Sequence, residues 1–203
     1  MKRIVLTVLC LCLLCGCKSS RSVISENGRF LVSAIGIDTE NKDMKVTVEA
    51  IVVNSQDTEQ SPKACVFEGS DTAFSKALEN AVSKSAKPLD FSHCAVVVFG
   101  EKTEETAKND VYKFCLENKQ ITVSVGFAKT ENANKILKLK PMSEIAVGYE
   151  MAVMLETAFT ENKTAFNNRF FEIENARLKG EKAKTLPFFK IKDDMFYLKG
   201  DIN

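Results

Sequence analysis

Between Phe30 and Ala128 the hydrophobic pattern switches repeatedly between a period of two and a period near 3.6. Phe30 to Ile37 (FLVSAIGI) is a compact apolar run that stops at Asp38, and Asp43 to Val53 alternates Met44, Val46 and Val48 with Lys45, Thr47 and Glu49 before turning apolar throughout. With TENK between them, these segments predict a β-hairpin whose second strand is half exposed at its start. QSPK, Gln60 to Lys63, interrupts the pattern, and Cys65 to Glu68 reads as a short strand closed by Gly69.

A helical period follows. Ala73, Phe74, Ala77, Leu78, Ala81 and Val82 recur at spacings of three and four, which puts them on one face of a helix that Ser70 or Asp71 can cap and Pro88 ends. Ala95 to Phe99 (AVVVF) reads as a buried strand. Thr103 to Glu117 is helical, with Ala107, Val111, Phe114 and Cys115 on one side, and Ile121 to Ala128 alternates as a strand. Strands separated by helices require crossover connections, so the expected fold is α+β, a mixed β-sheet with helices packed on it.

Beyond Ala128 helical character rises. Asn132 to Leu139 is a short amphipathic segment, and Met142 to Thr160 predicts a longer helix entered at Pro141 and Ser143, with Gly148 weakening its middle. Lys163 to Arg177 gives no firm assignment. Leu186 to Ile191 and Met195 to Leu198, either side of Lys192-Asp193-Asp194, predict a C-terminal hairpin.

The N-terminus has a different logic. Lys2 and Arg3 precede an apolar run from Ile4 to Cys15 broken only by Thr7, the layout of a secretory signal. At about 1.5 Å per residue the run rises roughly 18 Å as a helix, short of a hydrocarbon core of about 30 Å. Cys10, Cys12 and Cys15 lie in it and Cys17 just beyond it, but a metal site needs turn and polar residues beside its cysteines, and this segment lacks them. Leu14-Cys15-Gly16-Cys17 resembles a bacterial lipobox, in which the final cysteine is acylated and the chain is cut before it. An ordinary cleaved signal is the alternative. On the lipobox reading residues 1–16 are a signal peptide, Cys17 is the lipidation site, and residues 17–27 (CKSSRSVISEN) form a tether; several acyl chains on one residue anchor durably where one does not.

Composition excludes more than it affirms. The chain carries 28 basic and 27 acidic side chains, interspersed, so it lacks the basic footprint of a nucleic-acid binder. Cys65, Cys94 and Cys115 lie in apolar contexts and read as buried free thiols, though spacing leaves a disulfide between two of them open. The one histidine, His93, adjoins Cys94 at the start of a strand, where neighbouring side chains point to opposite faces and cannot easily act as base and nucleophile. Glu68-Gly69-Ser70-Asp71 offers a phosphate one glycine beside two acids, and Glu104-Glu105 and Asp193-Asp194 read as exposed helix-start and turn acids. No catalytic, metal or cofactor site is expected, and no ligand-contacting residue can be named.

Taken together, LLCGC, the A-I-G-I-D strand at Ala34 to Asp38, the V-T-V-E strand at Val46 to Glu49, the E-G start at Glu68 and the F-x-H-x-x-V-V-V-F-G-E run from Phe91 to Glu101 resemble the Ger(x)C family of spore-germination lipoproteins. The likeness spans roughly residues 30–155. It implies the C subunit of a nutrient germinant receptor: a non-enzymatic domain lipid-anchored to the outer face of the inner spore membrane. Its implied partners are an integral-membrane A subunit and a permease-like B subunit. It also implies further domains. Residues 28–157 are then the N-terminal domain, and residues 158–203 a helical connection and the opening of a second domain, in a shortened homologue or a truncated reading frame. Lys18-Ser19-Ser20 departs from the Trp-Asp pair expected after the lipobox. The main alternative is a lipid-anchored solute-binding protein, for which the 187 residues after Gly16 are short; an envelope hydrolase lacks a proton-transfer partner.

Overall fold

The computed structural model describes residues 28–52, 63–142, 145–162, 168–181 and 185–199. The lipobox, Cys17 and the tether therefore lie outside the described residues. Strands β1 (Phe30–Glu40), β2 (Asp43–Val52) and β3 (Lys63–Asp71) form an antiparallel meander. Next come α1 (Phe74–Val82), the short β4 (Leu89–Asp90), a single 3-10 turn (Phe91–His93), β5 (Val96–Gly100), α2 (Glu105–Glu117) and β6 (Gly126–Thr130). The chain continues through α3 (Ala133–Ile136), α4 (Val147–Asn162) and α5 (Phe170–Leu178) to the hairpin β7 (Phe188–Lys192) and β8 (Met195–Leu198).

These strands make one mixed sheet in the order β3-β2-β1-β5-β6-β7-β8, with β4 beside the start of β1. β1, β5, β6 and β7 run parallel, as the crossovers through helices require. The α+β expectation holds, and the C-terminal hairpin forms where the alternation places it. That hairpin belongs to the same sheet: β7 pairs with β6, and Phe189 and Phe196 join a core with Val96 and Val98. The boundary drawn between residues 157 and 158 falls inside α4.

Both sheet faces are covered. On one, Val32, Ile35, Ile37, Val46, Val48, Val97, Phe99 and Phe127 pack against α1, α2 and the start of α5. On the other, Ala34, Val96, Val98 and Ala128 meet α3, α4 and the hairpin. Central strands covered twice read as near-continuous apolar runs, and AVVVF is such a run.

Several local expectations are corrected. β2 is half exposed only at its very start, where Asp43 is exposed and Lys45 partly so; farther along, Thr47 and Glu49 are buried beneath α3 and α4. β3 does not close at Gly69. It runs on to Asp71, and Gly69 lets α1 approach, since a Cβ there would stand 2.1 Å from the Ala77 carbonyl oxygen. α1 has no side-chain cap of its own; Asp71 accepts the N–H of Ala73 instead. Ile121 to Val125 is not strand: Ile121 and Val125 point inward while Val123 is exposed, and the carbonyls of Val123 and Val125 accept the first N–H groups of α5. The long helix begins at Val147, not Met142, which puts Gly148 at its N-terminus. The hairpin turns are tight two-residue loops, Asn41-Lys42 and Asp193-Asp194, all at positive φ.

Candidate functional site

Asp38, Thr47, Glu49 and Gly100, one or two from each of three motifs of the family resemblance, meet at the face where α3 and α4 dock. β1 and β2 pair with a bulge: Val32 faces Ala50 and Ala34 faces Glu49, leaving Ser33 as the extra residue. The bulge turns the Ser33 hydroxyl onto Glu49, donating to Oε2 at 2.7 Å. α4 opens with Ala146-Val147-Gly148, which has no side chain able to cap it. Glu49 supplies the cap from across the fold, accepting the N–H of Val147 at Oε1 (2.8 Å) and of Gly148 at Oε2 (2.7 Å). Gly148 makes the approach feasible, because any Cβ there would stand 2.6 Å from the Ala34 methyl and 2.8 Å from the Ser33 carbonyl oxygen.

Asp38 does the same for α3. Its two carboxylate oxygens accept the N–H groups of Ala133 (2.9 Å) and Asn134 (2.8 Å). Gly100 leaves room for it, since a Cβ there would sit 2.1 Å from Asp38 Oδ1. The Asn134 amide donates to Thr47 Oγ1 at 2.9 Å, and the Thr103 hydroxyl donates to the Ile37 carbonyl. Farther out, Glu68 bridges Lys138, just past α3, and Lys45 on β2.

The electrostatics divide by burial. Glu49 is only 1% exposed, and desolvation pushes its carboxyl above the usual range against the lowering influence of Ser33, Gly148 and Val147. Glu68 is surface-connected, and the ammonium of Lys138, helped by Lys45, pulls its carboxyl down to about 2.

His93 and Cys94 line a cleft of about 440 Å³ at the starts of β5 and β6, with Ser92, Ser124, Asn168 and Arg169 on its walls. They do not form a reactive pair. His93 ends the 3-10 turn and is exposed, whereas the Cys94 thiol is buried, donates weakly to the Val96 carbonyl (3.7 Å), and is pushed far up by desolvation. Cys115 is buried too, its thiol raised to about 12, and Cys65 is half-buried; all three are free. Glu104 and Glu105 stand exposed at the start of α2, and Asp193 and Asp194 form the β7–β8 turn, as their sequence contexts indicate. Among the described residues no group of His, Cys, Asp and Glu is placed to hold a metal ion.

Sequence reasoning missed Glu49 and Asp38 as helix clamps. Alternation with Val46 and Val48 made Glu49 read as a solvent-facing acid. The local pattern carries no signal for it, because only the structure starts α4 at Val147, where the first N–H groups need an acceptor from elsewhere.

The inward acids of this mixed sheet are engaged in seating its own helices, and His93 and Cys94 do not assemble a reactive pair. The chain belongs to the family described as the spore germination protein N-terminal domain, whose model matches residues 27–191. It is thus a spore-germination protein of Ger(x)C type, as its strand motifs indicate. No curated protein and no solved structure matches it.

Proposed function

We propose that this protein is a lipid-anchored, non-enzymatic accessory subunit of a nutrient germinant receptor, held by Cys17 on the outer face of the inner spore membrane. It works by assembly with an integral-membrane A subunit and a permease-like B subunit, and needs no cofactor. The family match over residues 27–191 carries this reading, and the Leu14-Cys15-Gly16-Cys17 motif supports the anchor. No helix among the described residues is long and apolar enough to cross a membrane, so on this reading the acyl chains provide the attachment. Cross-linking in spore membranes tests the assembly: the chain should be captured with a multi-span protein and a permease-like protein, and recovery without either contradicts it.

The cleft beside His93 supports a second reading, a lipid-anchored solute-binding protein. Thermal-shift screening with small nutrients separates the two. A solute binder gains about 2.7 kcal/mol at a ligand concentration of 100 times Kd, whereas a purely scaffolding subunit does not shift.

A further inference from the structure

The two edges of the sheet are finished differently. β3, at one edge, carries Lys63, Glu68 and Asp71 along its length; Glu68 is tied to Lys45 and Lys138, and the Asn80 amide donates to the Ser70 carbonyl at 3.0 Å. Charges and a side-chain cover of this kind keep an edge from pairing with another chain. β8, at the other edge, has no charged residue and no proline between Met195 and Leu198.

The hairpin register shows which backbone groups of β8 are free. The Lys199 N–H donates to the Phe188 carbonyl, and a two-residue turn joins Lys192 to Met195. Met195, Tyr197 and Lys199 therefore turn their N–H and C=O groups toward β7, and Phe196 and Leu198 turn theirs away. β8 is last in the sheet, so among the described residues these outward groups have no strand partner. On one face of the strand Met195 and Tyr197 are 56% and 44% exposed, while Phe196 is buried on the other face beside Phe189. Lys190 and Lys192 belong to β7, one strand in from the edge.

The sequence around β8, Asp193-Asp194-Met195-Phe196-Tyr197-Leu198-Lys199, is complementary to itself read backwards. Its two acids form the exposed turn before the strand, and its exposed lysine follows the strand. Antiparallel pairing about Phe196 sets Phe196 against Phe196 of a second copy, Met195 against Tyr197, and Lys199 beside the Asp193-Asp194 turn. Each match occurs twice, as a two-fold axis requires. The outward Phe196 N–H and C=O groups then bond to each other across the axis, and the exposed Met195 and Tyr197 side chains cover one another. Centring on Tyr197 instead sets Met195 against Lys199 and leaves the acids unmatched.

We propose that β8 is a self-association edge: two copies of this chain join β8 to β8, antiparallel about Phe196, and continue one sheet across both domains. A seam of four strand residues per copy falls well short of the roughly 20–30 residues a side of a standard interface, so the dimer is weak in free solution. Two copies on one membrane, as the proposed Cys17 anchor holds them, meet at raised effective concentration. The pairing itself belongs to the folded domain and does not depend on the anchor.

Disulfide trapping reads both the contact and its register. Directly opposed residues of a non-hydrogen-bonded pair have Cα atoms about 4.5 Å apart, within disulfide reach, whereas diagonal neighbours at about 7–8 Å lie beyond it. Met195→Cys and Tyr197→Cys, both at exposed positions, would be made as separate full-length proteins, concentrated in detergent solution alone and as an equal mixture, and mildly oxidised. The expected product is a bridge from position 195 of one copy to position 197 of the other, in clear excess over 195–195 and 197–197 bridges; peptide mass mapping separates it from bridges to Cys65. Lys199→Glu in both proteins should lower the yield about tenfold, since two exposed ion pairs turn repulsive. Adding Asp194→Lys should recover it, and Lys42 already occupies the equivalent second position of the β1–β2 turn. Bridges at 195–195, 195–197 and 197–197 in equal yield, or no bridge in the mixture, overturn the proposal.

Discussion

Gly148 lies over Ala34 so closely that a Cβ on it would stand 2.6 Å from the alanine methyl. In an ordinary helix, replacing glycine by alanine gains about 1 kcal/mol. Here the sign reverses, because α4 must lift off the β1 bulge and stretch its bonds to Glu49. Gly148→Ala should cost about 2–4 kcal/mol, measured as a loss of urea midpoint at unchanged slope.

Glu49 and Glu68 should act oppositely on stability as pH changes. The folded Glu68 carboxyl is lowered to about 2 from an ordinary 4.5, so its contribution is present above pH 4.5 and lost as pH falls toward 2. The folded Glu49 carboxyl is raised, so its contribution is full below pH 4.5 and lost as pH rises through its raised value. Glu68→Gln should therefore flatten the acid limb of stability against pH, by about 1 kcal/mol after solvent screening. Glu49→Gln should remove a decline on the neutral side. Urea titrations from pH 2 to 7 check both slopes.

Truncating Glu49 is a different test from neutralising it. Glu49→Ala strips acceptors from two buried N–H groups of α4 and from the Ser33 hydroxyl, which should cost about 3–5 kcal/mol. Asp38→Ala removes the acceptor of the Ala133 and Asn134 N–H groups at the start of α3, where Asn132 still caps Lys135, and should cost about 1–2 kcal/mol. Hydrogen exchange should show faster exchange confined to the first turn of α4 in one variant and of α3 in the other.

Pattern reading recovered the strands and helices whose neighbours are simple, such as AVVVF and the Phe74–Val82 helix. It failed where a distant partner decides the local structure. Ile121, Val123 and Val125 alternate as a strand would, yet the carbonyls of Val123 and Val125 are taken up by the start of α5, which the local pattern does not announce. Gly69 and Gly148 read as a strand end and a helix weakness because closeness to α1 and to β1 is a tertiary fact. Strand alternation argues against His93 and Cys94 as a catalytic pair. The structure separates them by burial and a 3-10 turn instead.

The β1–β2 turn leaves room for improvement. Lys42 holds a φ of 74° in a two-residue loop after Asn41, where glycine is the preferred second residue. Lys42→Gly should raise stability by about 0.5–1 kcal/mol, seen as a higher Tm with an unchanged far-ultraviolet spectrum.

The three thiols should differ in reactivity. Cys65 is half-buried on β3, while Cys94 and Cys115 are buried and their thiols are held far from ionisation by desolvation. Maleimide applied to the native lipidated protein should modify Cys65 first and reach Cys94 and Cys115 only on unfolding, as peptide mass mapping would show.

The most direct test of the receptor-subunit account is the germination rate of spores lacking this gene. Nutrient-triggered germination should slow markedly, while chemical triggers acting downstream of the receptor should work as in the parent; an unchanged nutrient response would contradict the account.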